Sequence, residues 1–279
     1  MQKRRFIQCD VFSSVPTKGN GLAVVIDGDG LSDIQMQEFA AWTNLAETTF
    51  LLAPTTSNAD YKVRIFTPSR EMPFAGHPTL GSCAAWLHSG GVPKESRIVK
   101  QECGVGIVEI DMTGTEPAFV APPTKIISLE KEARLAIITA LKIDQKNIVQ
   151  SVKLDNGPIW QVLELASADD VLGVDASLVS YPEFCAIGLI GAHKEGAKSD
   201  YEVRMLAPSS GMSEDPITGS LNSALACWLF ENGRLQKDLV ISQGTKINRH
   251  GRVHIGLDVN GRILIGGNVQ ILIEGVLTL

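Results

Sequence analysis

An α+β fold of two similar domains, each built on short, mainly antiparallel strands, is predicted by three features of this 279-residue chain. Apolar and polar residues alternate over many short segments, helical periodicity is confined to four, and one strand-turn-helix pattern occurs twice. A doubly wound parallel sheet would need helices alternating with strands throughout. In chain order, alternation predicts strands over 5–12 and 22–26. Ser32, with Gln35 three residues on and Leu31 and Met36 as a staple, starts a helix running to about 43. Strands follow at 48–53 and 61–66, then a helix with Pro78 in its first turn that runs to about 86 and is stopped by Gly90. Strands at 98–101 and 107–112 complete the first half. The second half opens with a helix over 129–142 capped by Ser128, followed by strands at 148–154, 159–165, 184–189 and 201–206. A helix from Pro216 to about 230, ended by Gly233, precedes strands at 239–242, 252–257 and 269–277.

The internal repeat carries the most information. Residues 63–72 read VRIFTPSREM and residues 203–212 read VRMLAPSSGM, matching at Val, Arg, Pro, Ser and Met. After a two-residue shift, HPTLGS at 77–82 lies over DPITGS at 215–220, and Gln101 echoes Gln243 further on. A duplicated domain accounts for this pattern. Gly114, Pro117, Pro122 and Pro123 cluster between the copies, so the domains are expected at 1–116 and 117–267, with the strand of 268–279 returning to the first.

Composition narrows the function. With 44% hydrophobic and 20% charged residues the chain is neither disordered nor fibrous. A net charge of −6 removes the phosphate attraction that nucleic-acid binders rely on, so no nucleic-acid partner is expected. No apolar run approaches the ~20 residues that cross a bilayer, and Lys3, Arg4 and Arg5 are not followed by a signal-peptide core. A cytoplasmic protein without a membrane partner is expected. The five cysteines include no C-x-x-C pair, and His250 and His254 lie in an alternating strand around Gly251, so neither a disulfide framework nor a metal site is predicted. Dinucleotide, nucleophile-elbow and P-loop signatures are missing.

The repeated turn suggests chemistry. Each copy leads into a helix start rich in small residues, Gly76, Thr79, Gly81 and Ser82 in one and Thr218, Gly219 and Ser220 in the other. First-turn N–H groups lack helical partners and favour anions, so two such ends across a cleft would grip a small carboxylate. His77 and Asp215 fall at matching places in this alignment, and differing titratable groups on one scaffold suit a two-sided acid/base site. A helix cap is the competing reading of Asp215. From spacing alone Glu47 reads as a solvated strand start, and Cys83 and Cys227 as packing residues.

Several motifs together resemble the phenazine-biosynthesis PhzF family. They are Gly19-Asn20 before Leu22-Ala23-Val24-Val25; Asn44-Leu45-Ala46-Glu47-Thr48-Thr49-Phe50; Phe66-Thr67-Pro68 with Glu71 and Pro73-Phe74-Ala75-Gly76-His77-Pro78; and Glu214-Asp215-Pro216 with Thr218-Gly219-Ser220. The resemblance spans nearly the whole chain. It implies two pseudo-symmetric domains of the diaminopimelate-epimerase-like fold, each a curled sheet or barrel around a central helix, with the active site between them. It also implies a homodimeric isomerase needing no cofactor, with Glu47, His77 and Asp215 as catalytic residues. Asn20, Ala46, Gly76, Gly219 and Ser220 would bind the substrate, a small carboxylate-bearing compound such as a cyclic amino acid. A closed, partly dry site would raise the Glu47 pKa and suit it to proton transfer near neutrality.

Three departures bear on the substrate rather than the chemistry. Gly21 stands where the family carries proline, Ala46 where the phenazine enzyme has a serine, and Asn248, Arg249 and His250 where it has Gly-Arg-Pro. A two-thiol racemase like diaminopimelate epimerase would need cysteines at the paired turns, where this chain has Ala75 and Asp215. The alternatives left open are a non-catalytic binder of small carboxylic acids and an amino-acid racemase or epimerase.

Overall fold

The computed structural model describes residues 2–209 and 211–279; Met1 and Ser210, the latter inside the second copy of the repeat, lie outside the described residues. In chain order the elements are β1 (Lys3–Val11), β2 (Asn20–Val25), α1 (Asp33–Thr43), β3 (Glu47–Leu52), β4 (Tyr61–Phe66), β5 (Glu71–Met72), α2 (Gly76–His88), β6 (Ile98–Cys103), β7 (Gly106–Asp111) and β8 (Ala118–Val120). They continue with β9 (Lys125–Ile127), α3 (Lys131–Ala140), β10 (Ile148–Asp155), β11 (Ile159–Leu165), α4 (Ala168–Gly173), β12 (Ile187–Ala192), β13 (Tyr201–Leu206), β14 (Glu214–Asp215), α5 (Gly219–Glu231), β15 (Leu239–Gln243), β16 (Gly251–Leu257), β17 (Ile263–Gly266) and β18 (Val269–Thr278). The chain divides into two compact units. Unit 1 runs to Val120 and includes Gly266–Leu279; unit 2 is Ala121–Ile265.

Unit 1 pairs its strands in the order β18-β1-β2-β3-β4-β6-β7-β8, with β5 also on β4. The sheet is mixed rather than purely antiparallel. The pairs β2/β3 and β4/β6 are parallel because α1 and α2 carry the chain across, and a helical crossover returns it in the same direction. Unit 2 repeats these signs. There β10/β11 is antiparallel, β11/β12 parallel, β12/β13 antiparallel, β13/β15 parallel and β15/β16 antiparallel, with β14 on β13.

Strand alternation gives each sheet two faces. In unit 1, Phe50 and Phe66 meet Met36 and Ala40 of α1 on one face. The other face receives α2 so closely that a Cβ on Gly81 would stand 2.6 Å from Leu22 and 3.0 Å from Cys9. In unit 2, Leu163, Ile187, Leu189 and Leu206 pack with Ile137 and Ile138 of α3 and Val171 of α4, while Leu221 of α5 lies against Gly188 on the opposite face. Each aromatic anchor such as Phe50 is worth roughly 3–5 kcal/mol against alanine.

Ser32 caps α1 in a capping box with Gln35, and α1 ends at Thr43 as its periodicity predicts. Two helix starts differ from expectation. The N-cap of α3 is Glu130 rather than Ser128, and α5 begins at Gly219, three residues beyond Pro216, because Glu214 and Asp215 are drawn into β14. Two-residue strands such as β5 and β14 have no periodicity to read.

Candidate active site

Glu47 opens β3 directly after the turn through Leu45 and Ala46, which a left-handed Asn44 (φ 54°) begins. Alternation then decides where it faces. Thr48 turns toward α1, its hydroxyl 2.8 Å from that of Thr43, whereas Thr49 is reached by Ser82 of α2 at 2.9 Å. Glu47 shares the Thr49 side, and so meets the first turn of α2. Its Oε2 lies 3.3 Å from Nε2 of His77, without the alignment of a hydrogen bond. On the ring's other side, Asn20 Nδ2, from the start of β2, donates to His77 Nδ1 over 3.5 Å. This contact leaves the proton of the neutral imidazole on Nε2, facing the carboxylate.

Burial sets the charge of this pair. The His77 side chain is only 5% exposed, and desolvation of the imidazolium pushes its pKa down to about 3. At neutral pH it is an uncharged donor. Gly76 and His77 begin α2 without a side-chain cap, Ala75 being the N-cap, and Gln101 Nε2 donates to Thr79 Oγ1 at 3.1 Å in the same turn.

In unit 2, Asp215 is not the cap of α5. The N-cap is Thr218, which makes no side-chain cap bond; its hydroxyl donates instead to Asp215 Oδ2. Gln243 fixes this arrangement from β15. Its Nε2 donates to Thr218 Oγ1 at 2.9 Å, and its Oε1 accepts from Thr218 N at 3.1 Å and Asn222 Nδ2 at 2.7 Å. A relay thus runs from Gln243 through Thr218 to the carboxylate. Gly219 and Ser220 form the first turn, and Asn156 donates to the Ser220 carbonyl at 2.8 Å. Sequence reasoning missed Asn156; its signal was the Asn156-Gly157 turn between two alternating segments.

The match between His77 and Asp215 is also corrected. Ile65 and Phe66 pair with Met72 and Glu71, as Met205 and Leu206 pair with Asp215 and Glu214. Asp215 therefore corresponds to Met72, and Glu71 to Glu214. Three residues separate each short strand from its helix, so Gly76 matches Gly219 and His77 matches Ser220. By the same logic Thr48 and Ile187 both face the last residue of β4 or β13, which puts Ala186 where unit 1 has Glu47.

Unit 1 thus brings Asn20, Ala46, Glu47, Gly76 and His77 together, and unit 2 brings Asp215, Gly219 and Ser220 together. Cys9 and Cys83 are buried, and desolvation raises both thiols to about 12, so neither is a thiolate at neutral pH. Among the described residues no group of three or more His, Cys, Asp or Glu side chains is placed to hold a metal ion, and no helix is long and apolar enough to cross a membrane.

Comparison with known proteins places this chain among isomerases. The family model for phenazine biosynthesis-like proteins matches residues 9–275, and the chain belongs to that family. It is 37% identical to antisense-enhancing sequence 1 of Schizosaccharomyces pombe, over 99% of both chains. It is 32% identical to the trans-2,3-dihydro-3-hydroxyanthranilate isomerase of Pseudomonas fluorescens, over 88% of this chain and 87% of that protein. The crystal structure of a Bacillus anthracis phenazine biosynthesis protein of the PhzF family superposes with a TM-score of 0.84 at 21% identity, covering both chains fully.

Proposed function

We propose that this isomerase moves a proton on a small carboxylate-bearing substrate, with a cyclic amino acid as the candidate class, and that Glu47 is the general acid/base. The observation that carries the reading is the Glu47–His77 pair. An imidazole whose pKa is near 3 carries no second, acidic proton at neutral pH, which leaves the adjacent carboxyl as the group that cycles. Glu47 takes a proton from one substrate atom and returns it at another, so the net composition is unchanged and no cofactor is called for. His77 donates its Nε2 proton as a neutral orienting group, and the uncapped starts of α2 and α5 suit a carboxylate. Asp215 is proposed as a further catalytic carboxylate, oriented by Thr218. The working form is proposed to be a cytoplasmic homodimer, which sedimentation of the purified chain would test.

The test is incubation in D₂O with trans-2,3-dihydro-3-hydroxyanthranilate, L-proline and a set of small carboxylic acids, followed by NMR for carbon-bound deuterium. Wild type is expected to label one compound, and Glu47→Gln to bind it while labelling it about 10²- to 10⁴-fold more slowly. Equal labelling by Glu47→Gln would remove Glu47 from the mechanism. Saturable binding without labelling would make the protein a non-catalytic binder.

A further inference from the structure

Two carboxylates stand side by side in β14, and only one of them faces α5. Asp215 pairs with Met205 and Glu214 with Leu206, so their side chains leave opposite faces of the sheet. Asp215 reaches Thr218 at the start of α5, whereas Glu214 points into the apolar layer that holds Leu206, Val171 and Val174. There Arg204 receives it. Arg204 Nε donates to both Glu214 oxygens at 3.1 Å, Nη2 donates to Oε2 at 2.7 Å, and Nη1 donates to the carbonyls of Val171 (3.1 Å) and Val174 (2.6 Å) at the end of α4. The two side chains are 2% and 1% exposed.

Burying both charges brings no evident stability, since desolvation cancels most of the attraction of such a pair. Unit 1 makes this plain. Its matched pair, Arg64 and Glu71, has the same fork geometry at 2.6–2.7 Å but stands at the surface, 21% and 43% exposed. The short strands differ in one respect. In unit 1 the sequence is Glu71-Met72, and polarity alone says which residue turns inward. In unit 2 it is Glu214-Asp215, two acids that a hydrophobic pattern cannot tell apart. A slip of one residue would exchange their faces.

We infer that the buried Arg204–Glu214 pair is a register lock: it selects Glu214 for the core and thereby presents Asp215, rather than Glu214, to the start of α5. Arg204 and Glu214 are positioning residues and touch no substrate. Arg204 is suited to the task because its planar fork holds a carboxylate bidentately while its Nη1 group donates to two fixed carbonyls. The functional consequence rests on the proposed role of Asp215; the lock itself does not.

The test reads register directly. NMR contacts between Met205 and Asp215 and between Leu206 and Glu214, together with amide exchange at residues 214 and 215, would be followed in wild type, Arg204→Lys, Arg204→Met and the double variant Arg204→Met/Glu214→Leu. Arg204→Lys, which keeps the charge but loses the fork, is expected to raise exchange at 214 and 215 by at least tenfold while β12 and β13 amides stay protected. The double variant, with an apolar residue marking the inward position, is expected to restore both contacts. Contacts that persist in Arg204→Lys and Arg204→Met, uniform loss of protection across unit 2, or failure of the double variant to recover the pairing would each overturn the lock. A labelling rate unchanged in Asp215→Asn would instead overturn the role of Asp215 and leave the lock standing.

Discussion

Unit 1 carries Glu47, Met72 and His77 where unit 2 carries Ala186, Asp215 and Ser220. Around these three positions the units agree. Strand signs repeat, a thirteen-residue helix fills one face, a glutamine supports its first turn, and an Arg–Glu fork ties the fourth strand of the repeat to the short one after it. The duplicated scaffold has been kept and its equipment divided. Glu47 faces α2 and Asp215 faces α5, but from different strands and beside different partners: a buried neutral imidazole for Glu47, a threonine hydroxyl for Asp215. Two carboxyls in unlike surroundings are what separate acid and base roles require. The proposed function rests on these grafted side chains and not on the fold that repeats.

Making the units more alike should break the function. Glu47→Ala installs the unit 2 residue in unit 1 and is expected to slow deuterium labelling at least as much as Glu47→Gln, by about 10²- to 10⁴-fold, because nothing else at that register carries a proton. Asp215→Met, the unit 1 residue, and Asp215→Asn are expected to lower labelling by about 10²-fold. Unfolding by urea should register little in Asp215→Asn, about 1 kcal/mol or less, since the carboxylate does not cap α5 and the Thr218 hydroxyl can still donate to the amide oxygen. A large stability loss with intact labelling would return Asp215 to a structural role.

Much of this scaffold could be read from the sequence, and the errors have physical causes. Strands at 61–66, 159–165 and 201–206 and the helix beginning after Ser32 emerge as periodicity and capping predict. The parallel pairs do not, because alternation reports burial and not direction. Matching His77 to Asp215 fails for a countable reason: the loop after β13, residues 207–213, is three residues longer than residues 67–70 after β4. The chance likeness of HPTLGS to DPITGS hides that insertion. Glu47 was legible only through the family resemblance; a lone glutamate before a strand carries no signal of the imidazole that the fold sets beside it. Arg204 and Glu214 looked like ordinary repeat residues because burial separates the forks, and burial comes from α4, a helix of six residues with no readable period.

His77 sharpens the comparison through pH. Its folded pKa near 3 lies below the ordinary value of 6.5, so between those values the unfolded chain binds a proton that the folded chain does not. Stability is therefore expected to fall as pH drops below about 6.5, at up to ~1.4 kcal/mol per pH unit from this residue, and to level off near pH 3. His77→Ser, the residue unit 2 carries at the matched place, should flatten that part of the curve. Urea midpoints at pH 7, 6, 5 and 4 for both proteins would show it; parallel curves would mean that His77 is protonated in the folded state.

The smallest effect is expected at Gly21, where the units differ without any evident chemical purpose. Asp10 pairs with Gly21 as Asp155 pairs with Ile159, so unit 2 holds a β-branched residue at the place where unit 1 has none. The backbone at Gly21 is not left-handed, and a Cβ there would meet only Leu45 Cδ2, at 3.8 Å. Gly21→Ala should then stabilise unit 1 by roughly 0.4–1 kcal/mol, mainly by reducing the freedom of the unfolded chain. Its labelling rate should stay near wild type, since Leu45 is two residues from Glu47 and keeps its packing. A drop in stability would show that the β2 backbone beside Asn20 needs glycine's freedom, and a drop in labelling alone would make the Gly21–Leu45 contact part of what places Glu47.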